Sequence, residues 1–159
     1  MSEPLAFHIT WTTYGTWLHG HQHGWVEAGV FEVQSADLER EKKARESMKE
    51  AVVVLTEEQR AVVETTIREH CRIRGWTLHA INVRTNHVHV VVSADRDPNE
   101  VMNQLKAWTS RKLSDLAGLS KKIANKAGRK KWWTEHGSTK WINDPEYLEN
   151  AIRYVNEMQ

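Results

Sequence analysis

Residues 85–93 read Thr-Asn-His-Val-His-Val-Val-Val-Ser, and this stretch decides the fold. Its run of β-branched residues, entered through a short polar turn, predicts a β-strand. Because side chains alternate along a strand, three valines share one face, whereas His87 and His89 share the other. The valine face suits a hydrophobic core. The opposite face presents two imidazoles about 7 Å apart along the strand.

The paired histidines predict a site for a divalent metal ion, because two neutral imidazoles on one face can share such an ion. A third ligand with a carboxylate or carboxamide oxygen would suit Mg²⁺ or Mn²⁺. Two hydrogen-bonded histidines on a half-exposed strand would produce the same short pattern. The motif alone therefore leaves a metal site and ordinary polar residues open.

The segments before this strand predict a strand, a helix and a hairpin. Residues 7–13 alternate between apolar and polar side chains, as in a half-buried first strand. Thr56 begins a capping-box pattern, and Gly75 ends the helix that follows. Residues 76–84 form a second strand, which a tight polar turn joins to the histidine strand as a hairpin.

The segments after it predict a helix, a strand and a last helix. Asp97 and Pro98 mark the start of the first of these two helices, and Asp144 marks the start of the last one. Residues 131–142 contain a strand or a pair of short strands. The final helix carries Tyr147, which we assign to packing, and Tyr154 beside its apolar stripe.

This order predicts an α+β fold, a ferredoxin-like or RRM-like antiparallel sheet with helices on one face. The additional C-terminal helix carries Tyr154. We expect the second face of the sheet to be open, so that the histidine pair can lie there.

Length and composition fit one domain over residues 1–159, with a loop-helix insertion at about 19–50. A glycine-rich loop in that insertion holds histidines at 19, 21 and 23, which no rigid scaffold orients. No apolar run is long enough to cross a membrane, and no signal peptide is visible. With a single cysteine, Cys71, the sequence predicts a cytoplasmic protein that does not act at a membrane.

The charge is unevenly distributed, although the net charge is only +1. Residues 104–141 contain ten lysines or arginines and two acids, a local charge of +8. Such a block favours a polyanionic partner such as nucleic acid, and a solvated loop is the alternative. Tryptophans among the cations add the possibility of base stacking. The residues expected to bind nucleic acid are Lys106, Arg111, Lys112, Lys121, Lys122, Arg129, Lys130, Lys131, Lys140 and Trp133.

Three stretches together resemble one family. The first strand and its turn (FHITWTTYGTWL, 7–18), the histidine strand (NVRTNHVHVVV, 82–92) and the C-terminal portion (WTEHGSTKW, 133–141, with AIRYV, 151–155) are similar to the single-tyrosine HUH transposases. These enzymes serve small insertion sequences, and REP-associated relatives share the pattern.

The resemblance implies an enzyme that nicks and rejoins single-stranded or hairpin DNA as a homodimer. Tyr154 would be the nucleophile that forms a 5′-phosphotyrosine, and His87 and His89 would bind Mg²⁺ or Mn²⁺. The family often completes the metal site with a glutamine about one helical turn after the tyrosine. Met158 stands there in this chain, and Gln159, five residues on, is the candidate third ligand.

Two alternatives share parts of this pattern. A replication initiator or relaxase of the HUH class would perform the same chemistry in another biological setting. A non-catalytic nucleic-acid-binding domain of RRM-like topology would present aromatic side chains on its central strands. Here the histidine strand presents His87, His89 and Val91 instead, which favours an enzyme.

Overall fold

The computed structural model describes residues 4–16, 52–118 and 131–157. Four strands and three helices follow one another in this part of the chain. They are β1 (Ala6–Thr13), α1 (Glu57–Arg74), β2 (Thr77–Val83), β3 (His87–Ser93), α2 (Pro98–Leu116), β4 (Trp133–Ile142) and α3 (Pro145–Glu157). The predicted α+β fold is therefore confirmed.

Several predicted features lie outside the described residues. They are the insertion at about 19–50, five cations of the basic block (Lys121, Lys122, Lys126, Arg129 and Lys130), and Gln159.

The sheet has the order β2-β3-β1-β4, with every neighbouring pair antiparallel. β1 and β3 are thus the central strands. The sequence left one strand or two short strands open for residues 131–142. In the structure β4 is a single strand of ten residues. A register irregularity between Trp11 and Thr13 accommodates the start of β4 beside β1.

The valine face of β3 lies in the main hydrophobic core, as predicted. Val88, Val90 and Val92 are fully buried there, beneath α1 and α2. The capping box at Thr56 and the left-handed Gly75 bound α1 as the sequence indicates. On α2, Thr109 is buried together with the apolar residues, whereas Trp108 and Leu116 are exposed.

The opposite face of the sheet is not fully open, which corrects the sequence-based expectation. α3 packs across β2 and β3 on that face. A second, smaller apolar cluster holds it there, with Ala151 and Val155 of the helix against Ala80 and Val91 of the sheet. Asn82 of β2 also donates a hydrogen bond of 3.0 Å to the Val155 carbonyl. This contact places Tyr154 beside the histidine strand.

None of the helices in the three described ranges is long and apolar enough to cross a membrane.

Close approach between β4 and its neighbours requires a glycine at position 137. A Cβ atom there would lie 2.6 Å from both the Met102 sulfur and the Thr10 carbonyl oxygen. The Thr10 contact is with backbone, which cannot swing aside as a flexible side chain can. Glycine is thus needed here for space.

We predict that Gly137→Ala lowers the free energy of unfolding by about 1–3 kcal/mol, the usual cost of overpacking. Urea denaturation measures it. Ser138→Ala on the same strand is the control, because Ser138 is exposed and its substitution should cost less than about 0.5 kcal/mol. Equal stability of the two variants would contradict the steric argument.

Candidate functional site

Strand pairing assembles a polar row on the sheet face that α3 partly covers. His89 of β3 lies opposite Thr10 of β1, and His87 lies opposite Thr12. The rings of His87 and His89 are 4.8 Å apart between centroids and nearly perpendicular. The two histidines therefore share one face and one neighbourhood, as the alternation of β3 predicts.

His8 joins this pair, although the sequence analysis did not select it. Its Nε2 lies 3.3 Å from His89 Nδ1, and the ring centroids are 5.5 Å apart. Alternation along residues 7–13 already put His8 opposite the apolar Phe7 and Ile9. Its distance from His89 depends on the register of β1 against β3, which the sequence does not reveal.

Burial keeps the histidines neutral near pH 7. It is the main cause that lowers the pKa of His89 to about 4, with the neighbouring His87, His8 and Arg84 as further causes. The pKa of His87 is lowered by burial and by Arg84. Neutral imidazoles keep a lone pair on one ring nitrogen, which is the form that binds a metal.

Hydrogen bonds also orient both rings. His87 Nδ1 donates to Asn86 Oδ1 at 2.6 Å, so the proton is on Nδ1 and the lone pair is on Nε2. His89 Nδ1 lies 3.0 Å from Thr10 Oγ1. Partners of this kind on one ring nitrogen are typical of histidines that bind a metal through the other.

Tyr154 extends over this row from α3. Its ring centroid lies 6.1 Å from that of His8 and 6.3 Å from that of His89. The side chain is 55% exposed, so a macromolecule can reach it from solvent.

A cavity of about 430 Å³ lies between α3 and the sheet at this point. Its lining consists of His8, Thr10, His89, Ser138, Lys140, Tyr147, Asn150, Ala151 and Tyr154. The four residues from α3 are spaced three, four and seven apart, which places them on one helical face. The cavity combines imidazoles, a phenol and an ammonium group, and it is open to solvent.

Tyr147 is not the packing residue that the sequence analysis assigned. It is 39% exposed and lines the same cavity as Tyr154, two turns earlier on α3. The ring contacts with the histidines belong to Tyr154. Proximity to Leu148 misled the sequence analysis, since neighbours on a helix point 100° apart.

The described cations of the basic block divide between the two faces of the sheet. Lys140 lines the Tyr154 cavity, and Lys131 lies 6.0 Å from the ring centroid of Tyr14. Arg111 and Lys112 are on α2, on the opposite side, where the Arg111 guanidinium lies 4.8 Å above the Trp108 ring. The block is thus no single surface.

Two predicted DNA contacts have other uses in the structure. The Lys106 ammonium donates to the carbonyls of Thr134 at 2.7 Å and Glu135 at 3.2 Å, which fastens α2 to β4. Trp133 is only 8% exposed, and its indole N–H donates to Thr109. Most of the Trp133 ring is buried in the hydrophobic core. This burial corrects the expectation that the ring is available for base stacking.

Within residues 4–16, 52–118 and 131–157, no group of three or more His, Cys, Asp or Glu side chains is arranged to hold a metal ion. A metal on His87 and His89 would therefore take its remaining ligands from another residue type, from the rest of the chain or from a bound molecule.

Comparison with known proteins agrees with this fold. The family model described as "Transposase IS200 like" matches residues 47–158, and the chain belongs to that family. The resemblance to single-tyrosine HUH transposases is thereby confirmed. No curated protein matches the chain in sequence.

Two solved structures share the fold. One is a structure from Deinococcus radiodurans R1 that is described as a transposase. It is 14% identical in sequence with a TM-score of 0.53, over 95% of this chain and 93% of that one. The other is a REP-associated tyrosine transposase bound to a REP hairpin. It is 12% identical with a TM-score of 0.53, over 97% of this chain and 66% of that one.

The hydrogen bond from His87 to Asn86 can be tested by NMR. We predict that His87 is mainly the Nδ1–H tautomer above neutral pH, and that Asn86→Ala raises its Nε2–H fraction because the acceptor is lost. Long-range ¹H–¹⁵N spectra distinguish the tautomers. His79, on β2, provides an internal control, and its signals should not change; an unaltered His87 spectrum would show that Asn86 does not set the tautomer.

Proposed function

We propose that this protein is a metal-dependent single-stranded DNA endonuclease and strand transferase in which Tyr154 is the nucleophile. The observation that carries this proposal is the position of the exposed Tyr154 ring within 6.3 Å of both His8 and His89. A phenol beside neutral imidazoles in an open cavity suits attack on a phosphodiester.

The reaction exchanges one phosphate ester for another. The Tyr154 oxygen loses its proton and bonds to phosphorus, while the bond from phosphorus to the 3′ oxygen breaks and that oxygen is protonated. The DNA 5′ end is then held as a phosphotyrosine. Because the number of ester bonds is unchanged, a 3′-hydroxyl can reverse the step without an energy source.

The donor set fits Mg²⁺ or Mn²⁺ in part. His87 and His89 each offer a neutral ring with one nitrogen already partnered, which leaves the second as a ligand. Gln159 is proposed as the oxygen ligand. When bound there, the ion would make the phosphate more electrophilic, which offsets the weak nucleophilicity of a protonated phenol.

The residues of the cavity divide the remaining tasks. Lys140 contributes positive charge where the phosphate would lie. Thr10 holds the His89 ring through its Nδ1. The central strands present histidine and threonine where an RRM-like binding module would present aromatic rings, which supports an enzyme over a passive binder.

The substrate and assembly are also proposals. The related structure with a REP hairpin supports hairpin DNA as the partner, and membership of the family supports a homodimer. Arg111 and Lys112, on the helical side, would contact DNA only where it passes around the domain.

We predict that Tyr154→Phe abolishes the covalent protein–DNA adduct on denaturing gels while DNA binding changes less than about twofold, since one oxygen is lost and the ring remains. Tyr147→Phe is the matched control on the same helical face and should keep the adduct. An adduct that depends on Tyr147 would transfer the role to that residue, and one that survives both changes would exclude tyrosine chemistry.

We predict that His89→Ala weakens Mn²⁺ binding at least about tenfold, because a ligand is lost. Calorimetric titration measures this without any cleavage. His79→Ala is the control: His79 Nε2 bonds Ser93 Oγ at 2.7 Å and lies outside the Tyr154 cavity. Wild-type Mn²⁺ affinity in His89→Ala would contradict the metal assignment.

A further inference from the structure

A second cavity adjoins the Tyr154 cavity on the same face of the sheet. Its volume is about 1130 Å³, and it runs between β1 and the first half of β4. Thr10 and Ser138 line both cavities. Because these two residues are register partners on neighbouring strands, the cavities meet at that pair. A chain molecule in the first cavity therefore has a continuous path into the second.

The lining of the second cavity has the chemistry of a site for single-stranded nucleic acid. It contains the aromatic ring of Tyr14 and the ammonium of Lys131, together with the hydroxyls of Thr12 and Thr134, which are hydrogen-bonded to each other at 2.9 Å. The Lys131 Nζ lies over the Tyr14 ring, 6.0 Å from its centroid, so the cation faces one side of the ring. The lining also contains one acid, Glu135. Aromatic stacking beside a cation is the usual means of gripping an unpaired strand.

Backbone hydrogen bonds hold Tyr14 in place. Its N–H donates to the Trp132 carbonyl at 2.8 Å, and its own carbonyl accepts from the Val53 N–H at 3.0 Å. The first bond links Tyr14 to the residue next to Lys131, which keeps the ring and the cation together. Tyr14 is partly buried: it packs against the main hydrophobic core and also lines this cavity.

We propose that Tyr14 and Lys131 form a nucleotide subsite that binds the unpaired DNA strand away from the scissile phosphate. One base stacks on the Tyr14 ring, and a neighbouring phosphate contacts Lys131. The assignment rests on the proposed function, since it takes the same strand to occupy the Tyr154 cavity.

The length of the path sets how much DNA is needed. Tyr14 is four residues beyond Thr10, which corresponds to about 13 Å along an extended chain. At the ~3.4 Å spacing of stacked nucleotides, this is about four nucleotides. An oligonucleotide shorter than this cannot occupy both sites at once.

The test measures binding of fluorescein-labelled oligothymidylate by anisotropy, with lengths of about 2 and about 12 nucleotides. Binding is measured with the Tyr154→Phe chain, so that no adduct forms. Adding Tyr14→Ala should weaken binding of the long oligonucleotide about 5- to 100-fold, and of the short one less than twofold. Adding Lys131→Ala should make the log–log salt slope shallower by about 0.7.

Trp141→Ala is the matched control. Trp141 is an aromatic residue of β4 that is 53% exposed and contacts Phe7, and it lines neither cavity. It should change the affinity less than twofold. Because Tyr14→Ala removes packing, photo-crosslinking of iododeoxyuridine DNA to the otherwise unchanged chain is a second measurement, and the crosslink should map to Tyr14.

The outcomes separate this subsite from the proposed chemistry. A crosslink at Tyr14 without a Tyr154 adduct supports the subsite and rejects the nuclease. A Tyr154 adduct with no effect of Tyr14→Ala and no crosslink at Tyr14 overturns the subsite alone. Equal loss of affinity for short and long oligonucleotides also overturns it, because the contact would then not depend on the length of the strand.

Discussion

The register of β1 between β3 and β4 is the constraint on which the site depends. It sets Thr10 opposite both His89 and Ser138, and it sets His8 opposite both Val91 and Lys140. A shift of one residue would turn His8 and Thr10 into the core and bring Ile9 and Trp11 out. The apolar side of β1 therefore constrains the polar side, because burying Ile9 and Trp11 turns His8 and Thr10 toward the face of the histidines.

Most of the fold could be predicted from the sequence, because its signals are local. Alternation identified the strand faces, and caps at Thr56, Asp97 and Asp144 located the helix starts. The buried stripe of α1 matches the predicted one. The extent of β4 was harder, since Gly137 in its middle resembles a turn signal, whereas the structure uses it for close contact with β1.

The site was predicted in part. His87, His89 and Tyr154 each follow a local pattern or a family resemblance, and the structure brings His89 and Tyr154 together. His8 and Lys140 join them through pairings between distant strands, which no local pattern contains, and Tyr147 lies on the same face of α3 as Tyr154. The charge pattern was misleading for a similar reason. The cations of the basic block are close in sequence, but they lie on opposite faces of the sheet, because helix α2 and strand β4 belong to different layers.

The small apolar cluster under α3 determines how far the tyrosine stands from the sheet. Three of its six buried members are alanines, at positions 6, 80 and 151. The distance between packed elements depends on the side chains at the contact, so a methyl group at each position lets the helix sit low. The depth of the cleft therefore depends on these alanines, of which Ala151 also lines the cavity. Larger residues at these positions would hold α3 farther from the sheet. The depth of the cleft would then change while the reactive side chains stayed the same.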